Sequence, residues 1–270
     1  MRIGKLLIAA AAALPLSISL FTPAPAAEGM ARKPAASADT RPTPRLADGK
    51  PNLGPEVSGI GFWDRGLGPA VGGARFPPPE EIPFQPWARA LYDYRQSRTF
   101  VDDPHVRCTP PGGPRQFAVP FGLQIIQVPA IQRIFVLSGG AMRPWRVIYM
   151  DGREHPDPEV FNPSFFGHSV GHWEGDTLVV DTVGFNEQFW LHRDGYPHTH
   201  ALHLIERISR PNYMSLNYEI TIDDPLAYTR PWTTSWVKEW DEDEEIIEYF
   251  CNENNRDQFV LQPELAPGGK

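Results

Sequence analysis

From residue 117 onward, apolar and polar residues alternate in short runs between turn residues. The runs 117–128, 131–137, 145–150, 177–183, 202–209, 214–222, 232–239 and 245–251 are rich in Val, Ile, Leu, Thr and aromatic residues. Such runs predict strands. The breaks between them carry turn chemistry, at Pro129-Ala130, Ser138-Gly139-Gly140, Pro211-Asn212 and Asp241-Glu242-Asp243. No helical pattern separates the strands, which excludes a parallel α/β sheet. The expected class is all-β, an antiparallel meander that closes into a barrel (calycin-like) or packs as a sandwich. The one helix pattern is 86–96. Pro86 suits a first helical turn, and Trp87, Leu91 and Tyr94 share a face at i, i+4, i+7.

The same reading divides the chain. Residues 1–26 have the form of a secretory signal: Arg2 and Lys5, an apolar core from Leu6 to Phe21, and a small-residue cleavage site at Ala24-Pro25-Ala26. Residues 27–60 are rich in Ala, Pro, Gly and Ser with little apolar periodicity. They are expected to be a disordered leader, because they bury too little to offset their ordering entropy. Residues 61–116 read as an extended strap, then the short helix, then a rigid loop, PHVRCTPPGGPR at 104–115. The β domain is expected over 117–262.

Charge and cysteine content narrow the setting. With 25 Lys+Arg against 33 Asp+Glu the formal charge is −8. That balance speaks against a nucleic-acid partner and against an anionic membrane surface. No later stretch is apolar enough to span a bilayer, so no membrane association is expected after signal cleavage. The expected location is secreted or periplasmic. The two cysteines, Cys108 and Cys251, are expected to form a disulfide in that compartment. The partner expected is a small molecule, and oligomeric state is open.

The centre of the chain is 167–185, GHSVGHWEGDTLVVDTVGF. Gly and Asp at Glu174-Gly175-Asp176 supply a turn, so the stretch reads as a hairpin arm carrying titratable groups. This stretch, with DDPHVRCTPPGGPR (102–115), RVIYMDGREHP (146–156), LHLIER (202–207) and CNENNRD (251–257), resembles a large uncharacterised family of secreted bacterial proteins. The resemblance implies a secreted address and brings no activity.

Two long connections, 151–169 and 184–201, flank the arm and hold His155, His168, His192, His198 and His200. Long ordered loops are disproportionately functional. Asp181 lies among Val179, Val180 and Val183. It reads as a general acid or base or a histidine orienter, or else as an ion-pair partner for Arg207 or Arg146. His168 follows a glycine at a strand mouth and reads as an acid–base group or a loop-fixing hydrogen bond. Tyr149, His203 and Glu206 complete the catalytic candidates, with Arg207, His172 and Trp173 as substrate contacts. Strand alternation allows an interior shared by Tyr149, Asp181 and either His203 or Glu206. His198-Thr199-His200 with His203 has an H-x-H-x-x-H form, which could hold Zn or Cu if extended.

There is no G-x-S-x-G elbow, phosphate-cradling loop or dinucleotide fingerprint. The leading expectation is therefore a cofactor-independent enzyme: a lyase, isomerase or hydrolase using histidine and carboxylate groups on a small, partly apolar, oxygenated substrate. The alternatives are a non-catalytic periplasmic small-molecule carrier, whose eight Trp and fifteen Phe could line a cavity, and a histidine metal site.

Overall fold

The period-two alternation of the strands becomes one closed sheet. The computed structural model describes residues 40–56, 60–63, 76–98, 101–119, 121–140 and 143–251. The signal segment 1–26, residues 27–39 of the leader and the C-terminal part of the expected β domain, 252–262, lie outside the described residues. Among the described residues nine strands follow one another: β1 Phe62–Trp63, β2 Leu123–Val128, β3 Arg133–Ser138, β4 Trp145–Tyr149, β5 His168–Glu174, β6 Thr177–Val183, β7 His203–Ser209, β8 Ser215–Asp223 and β9 Trp232–Asp241. Each pairs with its neighbour in chain order, and β1 pairs with both β2 and β9, so the order closes on itself. The inner face is the alternate set Ile134/Val136, Leu178/Val180, Leu204/Ile208, Leu216/Tyr218/Ile220/Ile222 and Trp232/Trp236/Trp240, all buried.

Four expectations are corrected. First, the sheet is not wholly antiparallel, because β4 and β5 run parallel, Ile148 opposite Ser169 and Tyr149 opposite Val170. The connection 150–167 is long enough to return the chain to the same end, which a parallel pair requires. Gly171 lets these strands meet closely, since a Cβ there would lie 2.7 Å from Met150 Sδ and 2.8 Å from Ile148 Cγ2.

Second, residues 117–119, 121 and 122 are not strand. Arg115–Ala118 form a short helix, α2, and all four residues are buried. The helix fills the sheet interior. Phe117 stacks on Tyr218 at 4.2 Å between ring centroids. Gln116 Nε2 donates to Val136 O (3.1 Å) and Ser138 Oγ (2.9 Å), and Trp236 Nε1 donates to Phe117 O. Many of the aromatic side chains that could have lined a cavity pack this core instead.

Third, residues 245–251 do not extend the sheet. The free edge of β9 is already taken, with Phe62 opposite Asp241 and Trp63 opposite Trp240. The segment instead ends at Cys251, whose disulfide to Cys108 is formed, with Cα atoms 5.7 Å apart. Closing a loop of 143 residues is worth about 5 kcal/mol in the chain-entropy account.

Fourth, the part of the leader from 40 to 56 is docked rather than disordered. Its one large apolar anchor, Leu53, is fully buried. Trp63 Nε1 donates to Leu53 O (2.6 Å), and Leu53 N donates to Gln127 Oε1 (2.6 Å). Arg210 Nη1 donates to Asn52 O (2.7 Å) and Gly54 O (3.2 Å). The Arg210 guanidinium also lies over the rings of Trp63, Trp240 and Tyr213. Backbone carbonyls and one leucine thus do what a hydrophobic run would otherwise do.

The helix α1, Pro86–Ser97, forms where expected but turns a different face inward. Ala88 and Tyr92 are buried, whereas Trp87 and Tyr94 are exposed. Tyr92 joins Phe84, Tyr196 and Tyr228 in an aromatic cluster, and that cluster decides the orientation.

Candidate functional site

Strand alternation places Asp181 and His203 on the outer face of the sheet. Their neighbours Val180, Thr182 and Leu204 point into the core. His168, at the start of β5, lies on the same outer face, opposite Val183 on β6. The crossover after β4 brings His155 over this face. The result is a hydrogen-bonded line: His203 Nε2 to Asp181 Oδ1 at 2.9 Å, His155 Nε2 to the same oxygen at 3.0 Å, and His155 Nδ1 to His168 Nδ1 at 2.9 Å. Tyr149 stacks on His168 at 4.9 Å. Its ring lies under two guanidinium groups, Arg153 at 4.0 Å and Arg133 at 4.6 Å. Both arginines bond Asp151, at 2.7 and 3.0 Å.

The proton inventory follows from the contacts. An ionised carboxylate has no hydrogen to give, so His203 and His155 both donate Nε2–H to Asp181. A neutral His155 then offers its Nδ1 lone pair to His168 Nδ1–H. That leaves His168 Nε2 as a free lone pair, with no partner among the described residues. The electrostatics agree. The hydrogen bond to Asp181 raises the His203 pKa above its ordinary value. Partial burial, then the neighbouring His155, lowers that of His168. Burial pushes the Asp181 carboxyl up, but the bonds from the two imidazoles outweigh it and the net shift is downward. Asp181 is not an arginine's partner: Arg146 pairs with Glu206 and Arg207 with Glu174.

Several candidates lie elsewhere. Glu206 is on the inner face, where Arg146 donates to it at 2.8 and 2.9 Å and Tyr218 O–H at 2.6 Å. It cannot reach the outer line, because adjacent strand residues point to opposite faces. His172 and Arg207 sit opposite Val179, four residues along the strands from His168 and Val183, or about 13 Å. There they both meet Glu174, at 3.3 and 2.8 Å. Trp173, next to His172, packs partly against the core with Lys50 near its ring.

The histidine triplet does not converge. His198 is buried against the Phe189 and Thr199 carbonyls, His200 is exposed near Glu187, and His203 faces Asp181. Residues 197–199 are not in a strand and 200–201 form a turn, so the alternation that would align the rings is lost. Among the described residues no group of three or more His, Cys, Asp or Glu side chains is arranged to hold a metal. In the His203–Asp181–His155–His168 line the ring nitrogens face one another or the carboxylate rather than a common point.

Sequence reasoning did not single out His155. Its signal was present, a histidine before Pro156 on one of the long connections, but its role depends on how the crossover folds back.

A second cluster lies at a pocket of about 190 Å³ lined by His105, Val106, Ala118, Val119, Phe121 and His192, with Asp103, Arg115 and Arg193. β2, β5 and β7 run in the same direction around the sheet. Compared with family models, with curated proteins and with solved structures, the chain matches none.

Proposed function

We propose that the chain is a secreted acid–base enzyme built on a closed β-barrel, with His168 as its base and the line His155–Asp181–His203 as its proton sink. One observation carries this reading: three imidazoles and one carboxylate form a continuous hydrogen-bonded line ending in a free ring nitrogen. When His168 Nε2 takes a proton, its Nδ1 proton can move to His155 Nδ1. The positive charge then rests beside the Asp181 carboxylate, which stabilises the imidazolium without being protonated. His203, held as a second donor to Asp181, keeps that carboxylate oriented.

A base of this kind removes a proton from carbon beside a carbonyl, the first step of a lyase or isomerase, or from an attacking water in hydrolysis. Tyr149 and Phe161, packed about His168, suit a small, partly apolar, oxygenated substrate. The disulfide between Cys108 and Cys251 supports an exported location.

The test needs no product assay. The mature protein is incubated in D₂O with a panel of small carbonyl compounds, and NMR follows loss of the C–H signal beside the carbonyl. Exchange should be catalysed by the native chain, abolished in His168→Ala, and reduced by on the order of 10²–10⁴ in Asp181→Asn. Exchange equal in the native and His168→Ala proteins would refute the assignment.

A further inference from the structure

The pocket beside α2 is built from different residues and performs no part of the proposed proton transfer. Its one side is the turn Pro104–Arg107, fixed at both ends. The Asp103 carboxylate accepts from His105 N (3.0 Å) and receives Arg115 Nη1 and Nη2 at 2.7 and 2.5 Å. Cys108, which ends the turn, is tied by the disulfide.

The position of His105 is what gives the pocket chemistry. Its Nδ1–H donates to Thr109 O at 3.0 Å, which fixes the tautomer and leaves Nε2 as a lone pair. No described residue partners that nitrogen, and the ring lines the pocket. Burial, with Arg115 nearby, lowers the His105 pKa, so the ring is neutral near pH 7. Val106, Ala118, Val119 and Phe121 supply apolar walls.

The local charges are matched. Arg115 faces Asp103, while Arg193 and His192 face Asp194, at 3.8 and 3.0 Å. The lining itself holds two guanidinium groups and one carboxylate, and because each arginine already has a carboxylate partner, the pocket favours a neutral ligand over an ion. Size sets the rest. A cavity of about 150 Å³ takes benzene, so about 190 Å³ takes one ring with a small substituent.

We propose that this pocket is a second, separate binding site, for a small neutral hydroxylic ring compound of the phenol class, whose O–H donates to His105 Nε2 while its ring packs on Phe121 and the valines. This reading does not depend on the histidine line.

The test uses the mature, disulfide-bonded chain titrated with phenol and with anisole, which has the same ring and no O–H donor. Calorimetry or ligand-observed NMR reads the affinities. Phenol should bind at least about tenfold more tightly than anisole, the effect of one hydrogen bond to a buried acceptor. His105→Ala should bring phenol down to the anisole level, and phenol should shift the His105 imidazole resonances. Asp181→Asn should leave phenol binding unchanged. Equal binding of the two ligands, or no phenol binding up to about 10 mM, would overturn the proposal. So would loss of phenol binding in Asp181→Asn, which would place the ligand on the other site. The comparison of phenol with anisole is made on the native chain, so the test stands even if His105→Ala fails to fold.

Discussion

Glu206→Gln distinguishes a structural carboxylate from a catalytic one. Glu206 and Arg146 are almost wholly buried, with side-chain exposures of 0% and 2%. Two Arg146–carboxylate bonds and one from Tyr218 hold the charge in place. Burial, then the Glu206 charge, raises the Tyr218 pKa well above its ordinary value, so the phenol remains a donor. The Gln variant keeps the shape but leaves the Arg146 guanidinium buried without its counter-charge. Arg146 Nε already lacks a partner, so the cation has little else to turn to. Removing one member of a buried pair costs about 3–5 kcal/mol. For a domain of this size that corresponds to a fall in melting temperature of roughly 6–20 °C. Urea unfolding of the disulfide-bonded chain, followed by tryptophan fluorescence and far-UV dichroism together, measures it. The double variant Arg146→Met/Glu206→Leu should recover most of the loss, because neither charge is then left alone. A Glu206→Gln protein within about 0.5 kcal/mol of the native chain would refute this account of the interior.

Two further outcomes are expected. Leu53→Ala should cost about 2–5 kcal/mol, as for a leucine buried in a core, and urea unfolding of the variant checks it; a neutral result would mean that residues 40–56 are not docked. For pH, the Asp181 bond raises the His203 pKa, so its contribution to stability is fully present below about pH 6.5 and is lost as pH rises through the higher folded value. The stability difference between native and Asp181→Asn proteins should therefore shrink from pH 6 toward pH 9. NMR titration should show His203 titrating above and His168 below the ordinary histidine value, with His203 falling in the Asn variant. A difference that grows with pH would show that the sign of the coupling is wrong.

How much of this was legible beforehand depends on how local each cause is. Pleat and turn residues act over a few positions. They identified most strands, the Glu174–Asp176 turn and the helix at Pro86. A carboxylate in a valine run and a histidine after a glycine marked Asp181 and His168 as unusual, and the structure brings both to one line with His203. The helix face was misjudged because two rings of the aromatic cluster that receives Tyr92, those of Tyr196 and Tyr228, come from over a hundred positions away.

Local pattern was enough for the class of fold, the strand periods and the residues whose chemistry was worth testing. Which side of each strand faces inward was settled by long-range packing. In β6 both Val179 and Val180 are buried, because the outer face is covered too, so alternation carries no sign there. Tertiary contacts also decided that the crossover lays β5 parallel to β4 and brings His155 to Asp181. They decided as well that β1 takes the edge that residues 245–251 would have used, and that Arg210 recruits the backbone around Leu53. Each of these depends on a partner far away in the chain, and a local pattern holds no information about where such a partner will lie.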